Sequence, residues 1–148
     1  MARCRMINKA LISRDCFLQL SCATQLLYFH LCLNADDDGF VDNVITLIRQ
    51  LPVGSEDLKT LIEKGYVLIL DDYLYVITHW RQHNRIDKNH YVPTTYIDYL
   101  KKIFIDDTKA YTLSEKGINL FDYQFKRGFI AGLPSSDITA IEDKLKKN

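Results

Sequence analysis

Glycine and proline are scarce in this chain, six and three in 148 residues, and no glycine-rich phosphate loop can be assembled from them. There is no G-x-S-x-G elbow, no H-E-x-x-H helix and no pair of carboxylates outside turns. These gaps remove the common signatures of phosphate-loop hydrolases, serine hydrolases and zinc peptidases. The expectation is a protein that is not an enzyme and carries no cofactor. The four cysteines, Cys4, Cys16, Cys22 and Cys32, form no C-x-x-C pair, so reduced thiols in a cytosolic protein are expected. Charge of one sign is not in excess either. Nineteen Lys and Arg balance nineteen Asp and Glu, with a pI near 6.9, so any attraction to a polyanion must be local. The longest apolar stretch, "ATQLLYFHLCLNA", is too short to span a bilayer. The start, "MARCRMINK", is basic and polar, unlike a signal segment. A soluble cytoplasmic protein without a membrane partner is expected.

What is abundant is core material. Apolar residues make up 47%, and nine Tyr and seven Phe add bulk, enough for one domain without disulfide staples. "SCATQLLYFHLCLNA" reads as a helix capped by Ser21 and apolar on most sides, with Ala23, Leu26, Leu27, His30 and Leu31 on one face. "GFV" is a short strand. "NVITLIRQL" gives a helix with a Val44, Leu47, Ile48, Leu51 stripe, ended by Pro52 and Gly54. A third helix, "EDLKTLIEKG", is capped by Ser55, buries Leu58, Leu61 and Ile62, and stops at Gly65. "YVLIL" and "LYVITHW" have hairpin spacing.

Helix, strand, helix, helix, hairpin is the order of a winged helix-turn-helix. The expected architecture is therefore α+β and mainly helical, with a winged-helix domain over 1–100. A C-terminal extension over 101–148 follows. A helix from about Thr94 leads into it, and within it a small hairpin in "KIFIDDTKAYTL" and a terminal helix opened by Ser136 or Asp137 are expected.

The stretch "NADDDGFVDN" raises the question of a calcium loop. Counted from Asn34, oxygens fall at Asp36, Asp38 and Asp42 with Gly39 at position 6, but position 12 is Ile45 where such a loop needs a bidentate glutamate. The plainer reading is a helix end, a glycine turn and a cap at Asp42 or Asn43, with Ile45 serving the core. His79 and His83 are four apart but lack the further ligands of a zinc site, and are expected to face solvent or a base. His30, Cys22 and Cys32 are expected to fill core. No metal is expected.

Nucleic acid is the remaining chemistry. The third helix offers Glu56, Asp57, Lys59, Thr60, Glu63 and Lys64, net minus one, and the wing tip is Asp71 and Asp72, so phosphate is repelled from both. Cations concentrate instead in the amino-terminal arm (Arg3, Arg5, Lys9, Arg14) and in "HWRQHNRIDKNHY". There Arg81, Arg85 and Lys88 are interleaved with His83, Asn84 and Tyr91, suiting phosphate contact with stacking or edge contacts. An ordinary solvated strip has the same composition.

The phrases "MARCRMINKALISRDCF", "ATQLLYFHL", "NADDDGFVDN", "KGYVLIL" and "VITHWRQHNRIDKNHYVPTTY" together resemble the winged-helix region of phage replication proteins of Gram-positive hosts. These are the replisome organisers and DnaD-like primosome components. The resemblance runs from about Met1 to Tyr96. It implies a helper of DNA replication in a bacterial cytoplasm that binds DNA, self-associates and meets a replication protein such as a helicase. In larger members a second helical domain carries DNA and helicase binding, and none of the quoted phrases falls in it. The expected DNA contacts are Arg3, Arg5, Arg81, Arg85 and Lys88, with His83, Asn84 and Tyr91 as secondary contacts. Two other roles fit the same scaffold: a protein-interaction or oligomerisation module (including a phage inhibitor of a host machine), and a transcription regulator.

Overall fold

The structure is a computed structural model and describes residues 2–130. Two single-turn helices, α1 (Lys9–Ile12) and α2 (Asp15–Leu18), lead into the longest helix, α3 (Cys22–Asn34). Then follow β1 (Phe40–Val41), α4 (Val44–Gln50), α5 (Ser55–Glu63), β2 (Val67–Asp71), β3 (Leu74–Ile77) and α6 (Trp80–His83). A 3-10 turn at Ile97–Lys102 precedes β4 (Phe104–Ile105), β5 (Tyr111–Thr112), β6 (Ile118–Asn119) and α7 (Leu120–Lys126). The molecule is thus mixed α+β. The terminal helix expected from Ser136 or Asp137 lies outside the described residues.

One antiparallel sheet has the order β1-β3-β2, with Phe40 opposite Val76 and Val67 opposite Ile77. Its middle strand is buried along its whole length, Leu74 to Ile77, as a strand covered on both faces must be. A second small sheet has the order β5-β4-β6.

Helix α3 shows why a helix apolar all round conceals its phase. The residues it buries are Thr24, Leu27, Tyr28, Leu31 and Cys32, a face turned from the one expected, and Leu26 and His30 are only half-buried. Two polar residues join this inner face because their tips are satisfied. Thr24 donates to Asp57 Oδ1 at 2.7 Å, and the Tyr28 hydroxyl meets His83 at 2.6 Å. A buried polar atom so paired avoids the desolvation penalty an orphan would carry.

Asp57 differs from expectation in the same way. It is buried, and its Oδ2 accepts the Gly54 N–H at 2.8 Å, so Gly54 rather than Ser55 is the cap position of α5. The charges α5 exposes are then Glu56, Lys59, Glu63 and Lys64, which cancel. Ile45, expected in the core, is exposed; Val44 and Leu47 fill that side.

No break in packing occurs at residue 100. Phe17, Leu31, Val76 and Trp80 share one continuous core with Leu100, Ile103, Tyr111 and Phe121. The Tyr111 N–H donates to Thr78 O at 2.8 Å. The segment expected as a separate extension is, as far as residue 130, part of the same body.

Candidate nucleic-acid interface

The aspartate turn organises this side of the molecule. Asp36 Oδ1 accepts the N–H groups of Asp38 and Phe40, each at 3.0 Å, a side chain closing its own turn. Gly39 sits at φ +93, and a Cβ there would lie 2.6 Å from Cγ of Trp80, so both backbone and space demand glycine. The Trp80 indole donates to Asp37 O at 2.9 Å. Asp37 and Asp38 then reach forward in sequence. Asp37 accepts the Val92 N–H at 2.9 Å. Asp38 accepts the Tyr91 hydroxyl at 2.6 Å, the Thr94 N–H at 3.0 Å and Gln124 Nε2 at 3.2 Å. Burial pushes its carboxyl up to about 6, against the pull of the Tyr91, Thr94 and Gln124 hydrogen bonds. Asp42, for its part, accepts the Tyr96 hydroxyl at 2.7 Å. Asn43 holds the cap position of α4, without a side-chain cap bond. These carboxylates act as fasteners that tie the 91–96 segment and α7 to the β1 turn.

The residues expected to meet DNA divide sharply. Arg5 is used inside the fold: its side chain is 5% exposed, bonded to Asp37 Oδ1 at 2.9 Å and to Ala35 O at 2.8 Å. It also lies 5.1 Å from the Trp80 ring centroid. His83 is buried rather than facing solvent, with Nδ1 accepting the Asn8 N–H at 2.9 Å. The Tyr91 hydroxyl is taken by Asp38. Asn84 is buried, and its Oδ1 accepts the Met6 N–H at 2.9 Å. His79, also expected at the surface, is half-buried, and burial first and Arg14 second lower its pKa. Cys32 is core, its thiol pushed up to about 12 by burial, while Cys22 is exposed. Arg3 is exposed.

Arg81, Arg85 and Lys88 behave differently. Among the described residues none of the three is within ion-pairing distance of a carboxylate. Arg81 and Arg85 line one cleft of about 120 Å³ with Lys109 and Arg127, and Tyr91, Tyr123, Phe129, Trp80 and Asn84 share the lining. Arg81 and Arg127 each lie 5.0 Å from the Tyr123 ring centroid, and Arg127 also lies 4.6 Å from that of Phe129. Lys88 completes the group: its Nζ is 2.6 Å from where a Cβ on Gly128 would stand. The carboxylate in the lining, Asp37, is already neutralised by Arg5.

The folding logic is simple. Helix α6 begins at Trp80, pinned by its indole bond, so Arg81 and Asn84 project on one side of a single turn. The Asp106–Ala110 turn, closed by Asp106 Oδ1 bonds to the N–H of Thr108 and Ala110, carries Lys109 at φ 67. The end of α7 carries Arg127. Cations stacked on aromatic rings are held in place: Arg81 also donates to Gln124 Oε1 at 3.5 Å and Arg127 to the Tyr123 hydroxyl at 3.3 Å, which leaves their charge without a carboxylate partner. Such a surface can hold phosphodiester oxygens and offer ring faces and edges to bases.

Lys109 and Arg127 were not legible as site residues. Each lies far along the chain from Arg81, in a segment whose local composition is unremarkable. The signals were the "DDTK" turn and the "KRGF" helix stop, which indicate geometry but not which surface they join. Among the described residues no helix is long and apolar enough to cross a membrane. Compared with protein-family models, curated proteins and solved structures, the chain matches none.

Proposed function

We propose that this is a non-enzymatic DNA-binding protein on a winged-helix scaffold that assists initiation of phage or prophage DNA replication. The observation that carries the reading is the cleft in which Arg81, Arg85, Lys109 and Arg127 gather around Tyr123 without carboxylate partners. The scaffold reading is supported by the order α3, β1, α4, α5, β2, β3 and the sheet order β1-β3-β2. The replication role rests on the resemblance of the amino-terminal phrases. It carries with it a bacterial cytoplasmic setting, self-association, and a replication protein such as a helicase as partner.

A winged helix ordinarily lays its third helix in the major groove. Here α5 exposes cancelling charges and the β2–β3 turn presents Asp71 and Asp72, so attraction falls to the cleft. The test is a salt-titrated binding assay on duplex and single-stranded DNA, repeated with Arg81 and Arg85 both changed to Ala. Binding should fall by roughly 0.7–0.9 log unit per log of salt for each phosphate neutralised. Affinity that is flat with salt, or undetectable at low salt, sinks the reading.

A second reading, a protein-interaction module, is favoured by exposed Ile69 and Tyr73 beside Asp71 and Asp72 on the β2–β3 hairpin. A stable dimer by light scattering, with no DNA binding, would select it.

A further inference from the structure

This electrically neutral chain carries two surfaces of opposite charge. One is the cleft, where Arg81, Arg85, Lys109 and Arg127 meet aromatic rings. The other is the β2–β3 turn, which sets Asp71, Asp72 and Tyr73 side by side in solvent. Two hollows of about 240 and 210 Å³ adjoin that turn. They share Tyr73 and the exposed Asp42, and no Lys or Arg lines either. Among the described residues Asp42, Asp71 and Asp72 are not within ion-pairing distance of a cation. The cleft and the hollows have no lining residue in common.

We infer that the β2–β3 turn of one copy of this chain seats in the cationic cleft of a second copy, and that this contact and DNA exclude each other. The carboxylates of the turn meet the cleft cations, and Tyr73 joins the rings that line it. The exclusion of DNA rests on the DNA-binding reading above; the contact itself does not.

The argument is one of complementarity. Opposite potentials across an interface select the partner and its register, and here one sequence supplies both. The β2–β3 turn stands apart from the other strand turns in composition. The turn before β5 carries Lys109 beside Asp106 and Asp107, and the turn before β6 carries Lys116 beside Glu115, so each mixes its charge. Only Asp71 and Asp72 come without a cation of their own turn and beside an exposed ring. Tyr73 is 67% exposed, the most open of the large apolar side chains among the described residues, and tyrosine is a common interface anchor. Asp71 stays ionised: the Tyr99 hydroxyl first, and the Asp72 N–H second, hold its carboxyl below the usual carboxylate range. The hollows beside the turn are smaller than the roughly 300–1,000 Å³ of a small-molecule pocket, and suit side chains such as those on the rim of the partner's cleft. Because different patches meet, the contact is head-to-tail and builds rings or open chains.

Analytical ultracentrifugation of the full chain tests this without DNA. At about 50 mM salt the average mass should rise with concentration to about twice the monomer or more, and at about 500 mM it should return to monomer. Two double variants, checked by thermal melts, separate the faces: Asp72→Asn with Tyr73→Ala, and Arg85→Ala with Arg127→Ala, all four at exposed positions. Each should weaken association about tenfold or more. Mixed in equal amounts they should pair as dimers that grow no further, since each brings the face the other lacks. A short duplex should dissolve the association of the unaltered protein, and the turn variant should bind that duplex undiminished. The salt dependence, the turn variant and the duplex competition stand even if the cleft variant fails to fold. A monomer at every concentration, association that survives in either variant, a mixture that stays monomeric, or association that persists with DNA bound overturns the inference and leaves DNA binding intact. Pairing of the mixture with no DNA binding by any form upholds the contact and removes the functional reading.

Discussion

His83 accepts the backbone N–H of Asn8 through Nδ1 at 2.9 Å, while its Nε2 stands 2.6 Å from the Tyr28 hydroxyl. Since Nδ1 accepts, the proton of the neutral ring is on Nε2 and points at Tyr28. One imidazole thus fastens the amino-terminal arm to helix α3. Protonation would set an N–H of the ring against the N–H of Asn8. Burial first, and His79 second, lower the pKa of His83 to about 4.

The sign of the resulting pH dependence follows. A base held neutral in the fold contributes stability that is full above about pH 6.5 and is lost as pH falls toward 4. Backbone amides of residues 6–12 should therefore exchange faster, relative to the core, as pH drops through that window. His83→Phe should remove the dependence and cost about 1–3 kcal/mol for the orphaned Asn8 donor, read by denaturant melts at pH 7. An arm whose protection is unchanged between pH 7 and 4.5 contradicts the assignment.

Asp38 has the opposite sign. Its carboxyl titrates near 6 in the fold and near 4 when unfolded, so its ionisation weakens the fold as pH rises between those values. Asp38→Asn turns one acceptor into a donor facing the Tyr91 hydroxyl or the Thr94 N–H, costing about 1–3 kcal/mol. The stability gap between the unaltered protein and this variant should widen from pH 7 to pH 4.5, measured by urea unfolding. A constant gap would show that Asp38 has an ordinary carboxyl.

Gly39→Ala tests the turn. A left-handed conformation and a Cβ 2.6 Å from Trp80 Cγ together should cost about 1–3 kcal/mol or more. They should also shift the fluorescence of Trp80, the protein's single tryptophan. Gly65→Ala is the comparison. It has φ +83 but open space around it, so it should cost less and leave the emission unchanged.

How much of this was legible beforehand depended on the range of the determining contact. Element order was readable because its signals are local: Gly39 and Gly65 stop or turn the chain, Pro52 interrupts it, and the α4 and α5 stripes have helical period. The phase of α3 was not, because its outer residues are nearly as apolar as its inner ones. Only the distant partners Asp57 and His83 decide that Thr24 and Tyr28 face inward. The cationic strip at Arg81 and Arg85 was visible as composition. Its use was not, since Arg5, His83 and Tyr91, which look alike on paper, are consumed by Asp37, Asn8 and Asp38. The missing half of the cleft, Lys109 and Arg127, arrives through the second sheet and α7, whose ties to Thr78 and Asp38 no local pattern announces.

Lys109 offers an independent check on the cleft. Its backbone lies at φ 67, so Lys109→Asn removes the charge with a residue tolerant of that conformation. The melting temperature should stay within about 1–2 °C, since surface changes of this kind are within about 0.5 kcal/mol. DNA affinity at low salt should drop severalfold.

The central claim is that the cleft cations without carboxylate partners are there for phosphate, and the most direct measurement is the salt slope of DNA binding with and without two of them. Arg85 and Arg127 are exposed, so changing both to Ala should leave the fold intact. If the account is right, log affinity falls linearly with log salt for the unaltered protein, and the double variant binds more weakly with a slope shallower by about 1–2. Equal affinity and equal slope in the two proteins would contradict it.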